Sequence, residues 1–261
     1  MIPISTILRR IVQLSILALF IVGNCYGIKI LQGNLSSSVL FDTINLSDPF
    51  ATLQLFLAGF GIGGTALIGA LIILAFYALV APRAYCGWVC PINLLTDFAA
   101  WIRTKLGIRT KLMTVSRNSR YYLMILALVC SGLFGIAAFE TLNFIGFFTR
   151  AVTALSVSAI SIAIIIVIFE VFAGNRIICS HICPLGGFWA IISKFSLIRI
   201  YHKQSNCVKC NKCKLVCPEV HILELVGKED FKIGSECISC GRCVEVCDDN
   251  ALNFSILGEK K

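Results

Sequence analysis

The chain has 261 residues, 57% of them apolar and only 14% charged, with a mean hydropathy of +0.86. A soluble globular protein is about a quarter charged, so a fold wholly surrounded by water is excluded. The net charge of +9 comes from basic residues gathered in short loops beside apolar runs. That sorting argues for a membrane and against nucleic-acid binding.

Four apolar runs are long enough to cross a hydrocarbon core of about 30 Å, which takes about 20 helical residues. The first, about Ile11–Leu31, follows Arg9 and Arg10. No small-residue cleavage site closes it, and Asn24 before Cys25 does not suit a lipoprotein signal, so it reads as an uncleaved span. The next loop, residues 33–54, has no Lys or Arg, only Asp42 and Asp48. The second run covers about Leu55–Ala81 and leads into Arg83-Ala-Tyr-Cys86-Gly-Trp-Val-Cys90-Pro91. Residues 82–120 carry Arg83, Arg103, Lys105, Arg109, Lys111, Arg117 and Arg120. The third run is about Tyr121–Phe139; after it, residues 140–153 hold only Arg150 as a basic residue. The fourth, about Ala154–Ala173, leads into Arg176-Ile-Ile-Cys179-Ser-His-Ile-Cys183-Pro184. The positive-inside rule places both termini in the cytoplasm. Lys29, Arg150 and Glu170 sit near span ends, where a charge reaches the interface.

The two motifs read R-x2-C-x3-C-P and stand 93 residues apart. Each half is thus a helical hairpin ending in the same motif on the same side, a parallel repeat expected to pack about an axis along the membrane normal. Cysteines at i and i+4 share a helix face, and the proline after each pair suits a helix break. If the halves meet, Cys86, Cys90, Cys179 and Cys183 are candidates for a metal or a third cluster. The alternative is reduced thiols packing the span ends, or a redox-active dithiol. His181 has no counterpart in the first motif and reads as a surface residue. Cys25 and Cys130, alone in apolar runs, read as small buried hydrophobes.

From about residue 200 the chain becomes charged and soluble in character. Cys207, Cys210, Cys213, Cys217 and Pro218 spell C-x2-C-x2-C-x3-C-P, and Cys237, Cys240, Cys243 and Cys247 repeat the spacing with Asp248 in place of proline. Three cysteines at every third position curl around one cubane, while the fourth reaches across to the other. Cluster I is therefore assigned to Cys207, Cys210, Cys213 and Cys247, and cluster II to Cys237, Cys240, Cys243 and Cys217. Structural zinc uses pairs separated by a longer loop, and disulfides do not suit a cytoplasmic tail. The expected architecture is mainly α: a four-transmembrane-helix bundle over residues 1–199, then an α+β ferredoxin domain with two [4Fe–4S] clusters over residues 200–261.

Two stretches carry a family resemblance. Gly33-Asn34-Leu35-Ser36-Ser37-Ser38 through Asp42-Thr43 to Asp48-Pro49 resembles the first periplasmic loop of the NapH-type ferredoxins. Tyr85-Cys86-Gly87-Trp88-Val89-Cys90-Pro91 through Asn93 and Thr96-Asp97 resembles their first membrane motif. The resemblance implies a quinol dehydrogenase component of the bacterial inner membrane. It would oxidise menaquinol or ubiquinol and pass electrons to a periplasmic NapG-type iron–sulfur partner, then through c-type cytochromes to periplasmic nitrate reductase. With no C-x-x-C-H, pterin or Rossmann signature, the chain reads as a relay rather than the terminal reductase.

Quinol dissolves in the bilayer, so its site is expected to open to lipid near an interface, with polar groups to take its protons. The outer loop offers Asn34, Ser36, Ser37, Ser38, Asp42 and Asp48; the inner face offers Asp97, Trp101 and Glu170. Against this stands a plainer role, with the serines and Asn34 capping turns and the acids answering nearby arginines. The cysteine architecture also fits a polyferredoxin-type assembly factor that supplies electrons for copper reduction or cofactor loading.

Overall fold

A computed structural model describes residues 4–61, 63–108, 112–113 and 115–256; Arg109 and Lys111 of the basic loop lie outside them. In chain order the elements are α1 (Ile4–Tyr26), β1 (Leu31–Gly33), β2 (Ser37–Leu40), β3 (Ile44–Ser47), α2 (Pro49–Leu57), α3 (Gly64–Val80), α4 (Ile92–Lys105) and α5 (Ser119–Phe134). There follow α6 (Ala138–Leu142), α7 (Phe144–Thr153), α8 (Ser158–Ala173), α9 (Pro184–Ile192), β4 (Ile198–His202), α10 (Lys212–Val216), β5 (Phe231–Lys232), α11 (Arg242–Glu245) and β6 (Leu252–Ile256).

The expected spans shift at nearly every boundary; the fourth keeps its end at Ala173. Helix α1 begins at Ile4 and ends at Tyr26, where Gly27 turns the chain at a φ of 69°. The run 55–81 is two helices, α2 and α3, parted around Gly59, Gly61 and Gly63. Helix α5 stops at Phe134 because Gly135 adopts the left-handed conformation, and α8 starts only at Ser158. Among the described residues only α1 is long and apolar enough to cross a membrane by itself; α3, α5, α7 and α8 are shorter apolar helices. Helices α3 and α8 are nevertheless apolar around nearly the whole circumference, and Ile68, Leu71, Leu133, Ile160, Ile165 and Phe172 lie exposed. The stretch between α1 and α2 is an antiparallel meander in the order β1-β2-β3.

The chain divides into two compact units. One comprises Gln13–Ala75 and Cys90–Phe188. Within it α4 packs along α8, α7 along α8 and α2 along α5. Phe50 is fully buried between the rings of Phe139 and Phe188, at 5.5 and 5.3 Å. Beside it the buried Gln54 Oε1 accepts from the Phe139 N–H at 2.8 Å. Gly69 of α3 meets β3 so closely that a Cβ there would stand 2.1 Å from the Asn45 carbonyl oxygen. The helix starts of the two halves correspond: Asp48 caps α2 by accepting from Phe50 N–H, and Asn143 caps α7 by accepting from Ile145 N–H.

The other unit comprises Met1–Val12, Phe76–Val89 and Trp189–Lys261, so the tail expected to begin at residue 200 is joined by two earlier segments. Its sheet has the order β5-β4-β6, all antiparallel. The core is Ile200, Leu223, Val226, Ile233 and Leu252 together with Cys213, Cys237 and Cys243. Cysteine is therefore a structural part of this core. The start of α1 is held to the tail: the Ser5 N–H and hydroxyl donate to the Glu245 carboxylate, each at 2.7 Å, and Arg242 Nε donates to Thr6 at 3.1 Å. A carboxylate supplied from the far end of the sequence thus serves the free amides of a helix N-terminus.

Candidate iron–sulfur centres

The tail repeats one local structure at an interval of 30 residues. Each C-x2-C-x2-C loop needs positive φ on either side of its middle cysteine: Lys209 and Asn211 at 58° and 59°, Ser239 and Gly241 at 50° and 77°. Asparagine and glycine suit such positions, and these reversals turn the loop about a single point. The third cysteine of each loop then lies on a short helix, α10 or α11, and the fourth follows it.

Two hollows result. One is lined by Cys207, Cys210, Cys213 and Cys247, with His202, Val226 and Leu252 behind them. The other is lined by Cys217, Cys237, Cys240 and Cys243, with Ile200, Ile222, Ile233 and Ile238. Each cavity thus takes three thiols from one motif and the fourth from the other. Among the described residues no three His, Cys, Asp or Glu side chains form a group for a single metal ion. A lone zinc would draw its sulfurs within about 4 Å of one another through bonds of roughly 2.3 Å. Four thiols around an apolar hollow suit a multi-iron cluster better than one ion.

The surroundings agree. Burial pushes the Cys217 and Cys237 thiols up to about 12 and raises Cys243 further, with neighbouring thiol charges adding to it. Such sites accept thiolates only when a cationic partner offsets the charge, and iron supplies one. The Ser239 N–H donates to Cys237 Sγ at 3.4 Å, the kind of contact that tunes a cluster potential. His202, which spacing did not single out, is fully buried at the edge of the first cavity. Its Nδ1 donates to the Glu229 carbonyl at 2.9 Å and its Nε2 accepts from Gly227 N–H at 3.4 Å, so it is a satisfied core histidine and has no lone pair left for iron.

The two R-x2-C-x3-C-P motifs also share a backbone. Arg83 and Arg176 both take positive φ, 43° and 56°, and each is followed by a π-helical turn, Tyr85–Val89 and Ile178–Ile182. In both motifs the first cysteine is partly exposed and the second is buried. Cys86 belongs to the tail's unit; Cys90, Cys179 and Cys183 belong to the other. Burial pushes the Cys179 thiol well above its usual range, and the charges of Cys90 and Cys183 act on it too. These three thiols are electrostatic neighbours. The lone cysteines are a correction: Cys25 is exposed, with its thiol 3.5 Å from the Thr153 carbonyl oxygen, and Cys130 is only partly buried.

Comparison with known proteins shows the family. The family model described as "4Fe-4S binding domain" matches twice, over residues 62–109 and 155–200, once on each membrane motif. The model described as "4Fe-4S dicluster domain" matches residues 199–248. "Ferredoxin-type protein NapH" of Haemophilus influenzae is 40% identical over 85% of this chain and 78% of its own length. The chain belongs to the NapH-type ferredoxin family. "Ferredoxin-type protein NapH" of Escherichia coli is 36% identical over 83% of this chain and 76% of its own. "Methylamine utilization ferredoxin-type protein MauN" of Paracoccus denitrificans is also 36% identical, over 83% and 77%. No solved structure matches. Membership of the NapH-type family makes this an iron–sulfur electron-transfer protein.

In this NapH-type chain most of the polar residues named as quinol candidates have a structural task. Asn34 Oδ1 accepts from the N–H groups of Ser36 and Ser37, closing a turn, and Ser37 and Ser38 lie in β2. Asp42 is exposed and pairs with Lys29 at 2.5 Å, and Asp48 is the α2 cap. Asp97 is ion-paired to the buried Arg176 of the second motif. Glu170 accepts from the N–H groups of Ile177 and Ile178 at 3.1 and 2.8 Å, capping the second π-helical turn. Trp101, one turn beyond Asp97 on α4, is exposed and stacks on Phe98. Sequence reasoning missed Arg9, Gly87, Glu219 and Ser239. Arg83 and Gly87 stood inside a recognised motif, and that repetition was the signal available.

Proposed function

We propose that this chain is a membrane-bound electron relay that oxidises membrane quinol, menaquinol or ubiquinol. It passes the electrons toward a periplasmic NapG-type iron–sulfur partner and, through c-type cytochromes, to periplasmic nitrate reductase. The observation that carries the reading is the pair of cavities, each lined by four cysteines drawn crosswise from both motifs. Cys207, Cys210, Cys213 and Cys247 would hold one [4Fe–4S] cluster, and Cys217, Cys237, Cys240 and Cys243 the other. The clusters supply one-electron storage; the chain's residues hold them, exclude water from the buried one and set the charge around it. Cys86, Cys90, Cys179 and Cys183 are proposed as a further metal or cluster site, since both "4Fe-4S binding domain" matches contain a motif pair.

Four spans, with cytoplasmic termini in the bacterial inner membrane, are part of the same proposal. The exposed apolar residues of α1, α3, α5 and α8 support it, as does the charge of the loops. At about 1.5 Å per residue, the 16- and 17-residue helices reach roughly 25 Å, and the adjoining turns supply the remainder.

A second reading has its own support. The relatives' printed names include methylamine utilisation as well as NapH, at similar identity. The same clusters and thiols would serve a polyferredoxin-type assembly factor that reduces copper or loads a cofactor. The test is anaerobic protein in membranes supplied with a reduced quinone analogue, with bleaching of the visible iron–sulfur absorbance followed. Quinol-dependent bleaching is expected, with about eight irons for two cubanes or about twelve for three. Iron-replete protein that ignores quinol but turns over copper ions would favour the assembly reading.

A further inference from the structure

The two cysteine loops of the tail share a backbone and differ in their cover. In the first, Val208 is 66% exposed and Cys210 is exposed; in the second, the equivalent Ile238 and Cys240 are 3% and 6% exposed. The cover includes the segment Pro82–Trp88, which lies in the same compact unit. A Cβ on Gly87 would stand 2.3 Å from the Ile238 carbonyl oxygen, so only glycine permits this approach without movement. Trp88 Nε1 donates to the Ser239 carbonyl at 3.0 Å, and the Ser239 hydroxyl donates to the Pro82 carbonyl at 2.7 Å. Arg83, 1% exposed, donates to the Glu236 carbonyl at 3.1 Å and pairs with Glu219 at 3.3 Å. Glu219 stands two residues after Cys217, and Glu236 immediately precedes Cys237. Arg9, fully buried, donates to the Gly87 carbonyl at 3.4 Å.

We infer that Arg83, Gly87 and Trp88 are positioning residues that join the first R-x2-C-x3-C-P motif to the second ferredoxin loop. Cys217, Cys237, Cys240 and Cys243 then form the inner electron site, coupled to that motif, and Cys207, Cys210, Cys213 and Cys247 form the outer site, open to solvent. Electron exchange falls steeply with distance and is served by packed and hydrogen-bonded contact, which ties the inner loop to the first motif. Two buried guanidinium groups beside the inner loop favour the more negative, reduced state of whatever its thiolates hold. The inference rests on the proposal that both cysteine sets hold clusters, and it is independent of quinol.

The test uses the full chain, purified anaerobically in detergent. Iron content, the midpoint potentials from a dithionite titration followed by electron paramagnetic resonance, and the rate of iron release to a ferrous chelator are measured. Wild type is compared with Trp88→Phe, Arg83→Gln and, beside the outer loop, Lys212→Ala. Wild type should release the iron of the two tail sites in a fast and a slow phase. Trp88→Phe should keep its iron, speed the slow phase several-fold and shift one midpoint potential while leaving the other in place. Arg83→Gln should lower that same potential, and Lys212→Ala should leave it and the slow phase unchanged. If Arg83→Gln does not accumulate, Trp88→Phe decides. Equal shifts in both potentials, no shift in either, or an effect on the fast phase alone would overturn the junction. Wild-type protein that binds no iron would overturn the cluster assignment and the junction together.

Discussion

Asp97 and Asp42 were equal candidates as proton-accepting carboxylates, and their surroundings now separate them. Asp97 answers Arg176, a guanidinium only 4% exposed at the start of the second motif, whereas Asp42 and Lys29 face water. Removing one partner of a buried pair strands the other charge, at a cost of about 3–5 kcal/mol. An exposed pair is screened and contributes little. Asp97→Asn should therefore clearly lower the thermal midpoint of the detergent-solubilised protein, and Asp42→Asn should leave it unchanged. Equal melting of the two variants would show that the Arg176 pair carries no structural weight. Any loss of quinol activity in Asp97→Asn has to be read against that loss of stability. The pairing was foreseeable only as a general alternative, because Asp97 and Arg176 are 79 residues apart and no local pattern links them.

At the scale of elements, the tail is built from pieces too short to stand alone. Helices α10 and α11 have five and four residues, β4 and β6 five each, and three cysteines lie in the core itself. Isolated helices of this length are unstable, and a small sheet needs a filled core. Iron removal by a chelator under reducing conditions should unfold the tail, read as proteolytic nicking between residues 203 and 250, while the α4–α8 region stays intact. A tail equally resistant with and without iron would contradict the core's dependence on the clusters. The cysteine framework was legible because ligand spacing is local chemistry, written within eleven residues. The break between α2 and α3 was also legible, in Gly59, Gly61, Gly63 and Gly64, but the apolar run overrode that signal. The meander β1-β2-β3 was not, since its serines and asparagines resemble loop composition, and pairing between strands leaves little trace in so short a stretch.

For the whole molecule, the charge asymmetry of the loops makes a prediction that the helix lengths do not. Reporters fused after residue 45 or 147 should be active on the periplasmic side, and those after 110 or 255 on the cytoplasmic side. A periplasmic signal from the fusion after 255 would reverse the chain and move both ferredoxin loops to the other compartment. The duplication was legible as two motifs 93 residues apart, and it recurs in the matching arginine conformations, π-helical turns and helix caps. The extent of the tail's unit was not legible, because its three segments are distant in sequence and composition marks only the last.

The bond between Ser5 and Glu245 spans 240 residues, nearly the whole chain. A ribosome makes Ser5 240 residues before Glu245, so the carboxylate that serves α1 appears long after the amide it accepts from. Contacts this remote close late, since the intervening chain must be ordered before they can form. The start of α1 therefore waits, its amides uncapped, until the tail has emerged and folded against it.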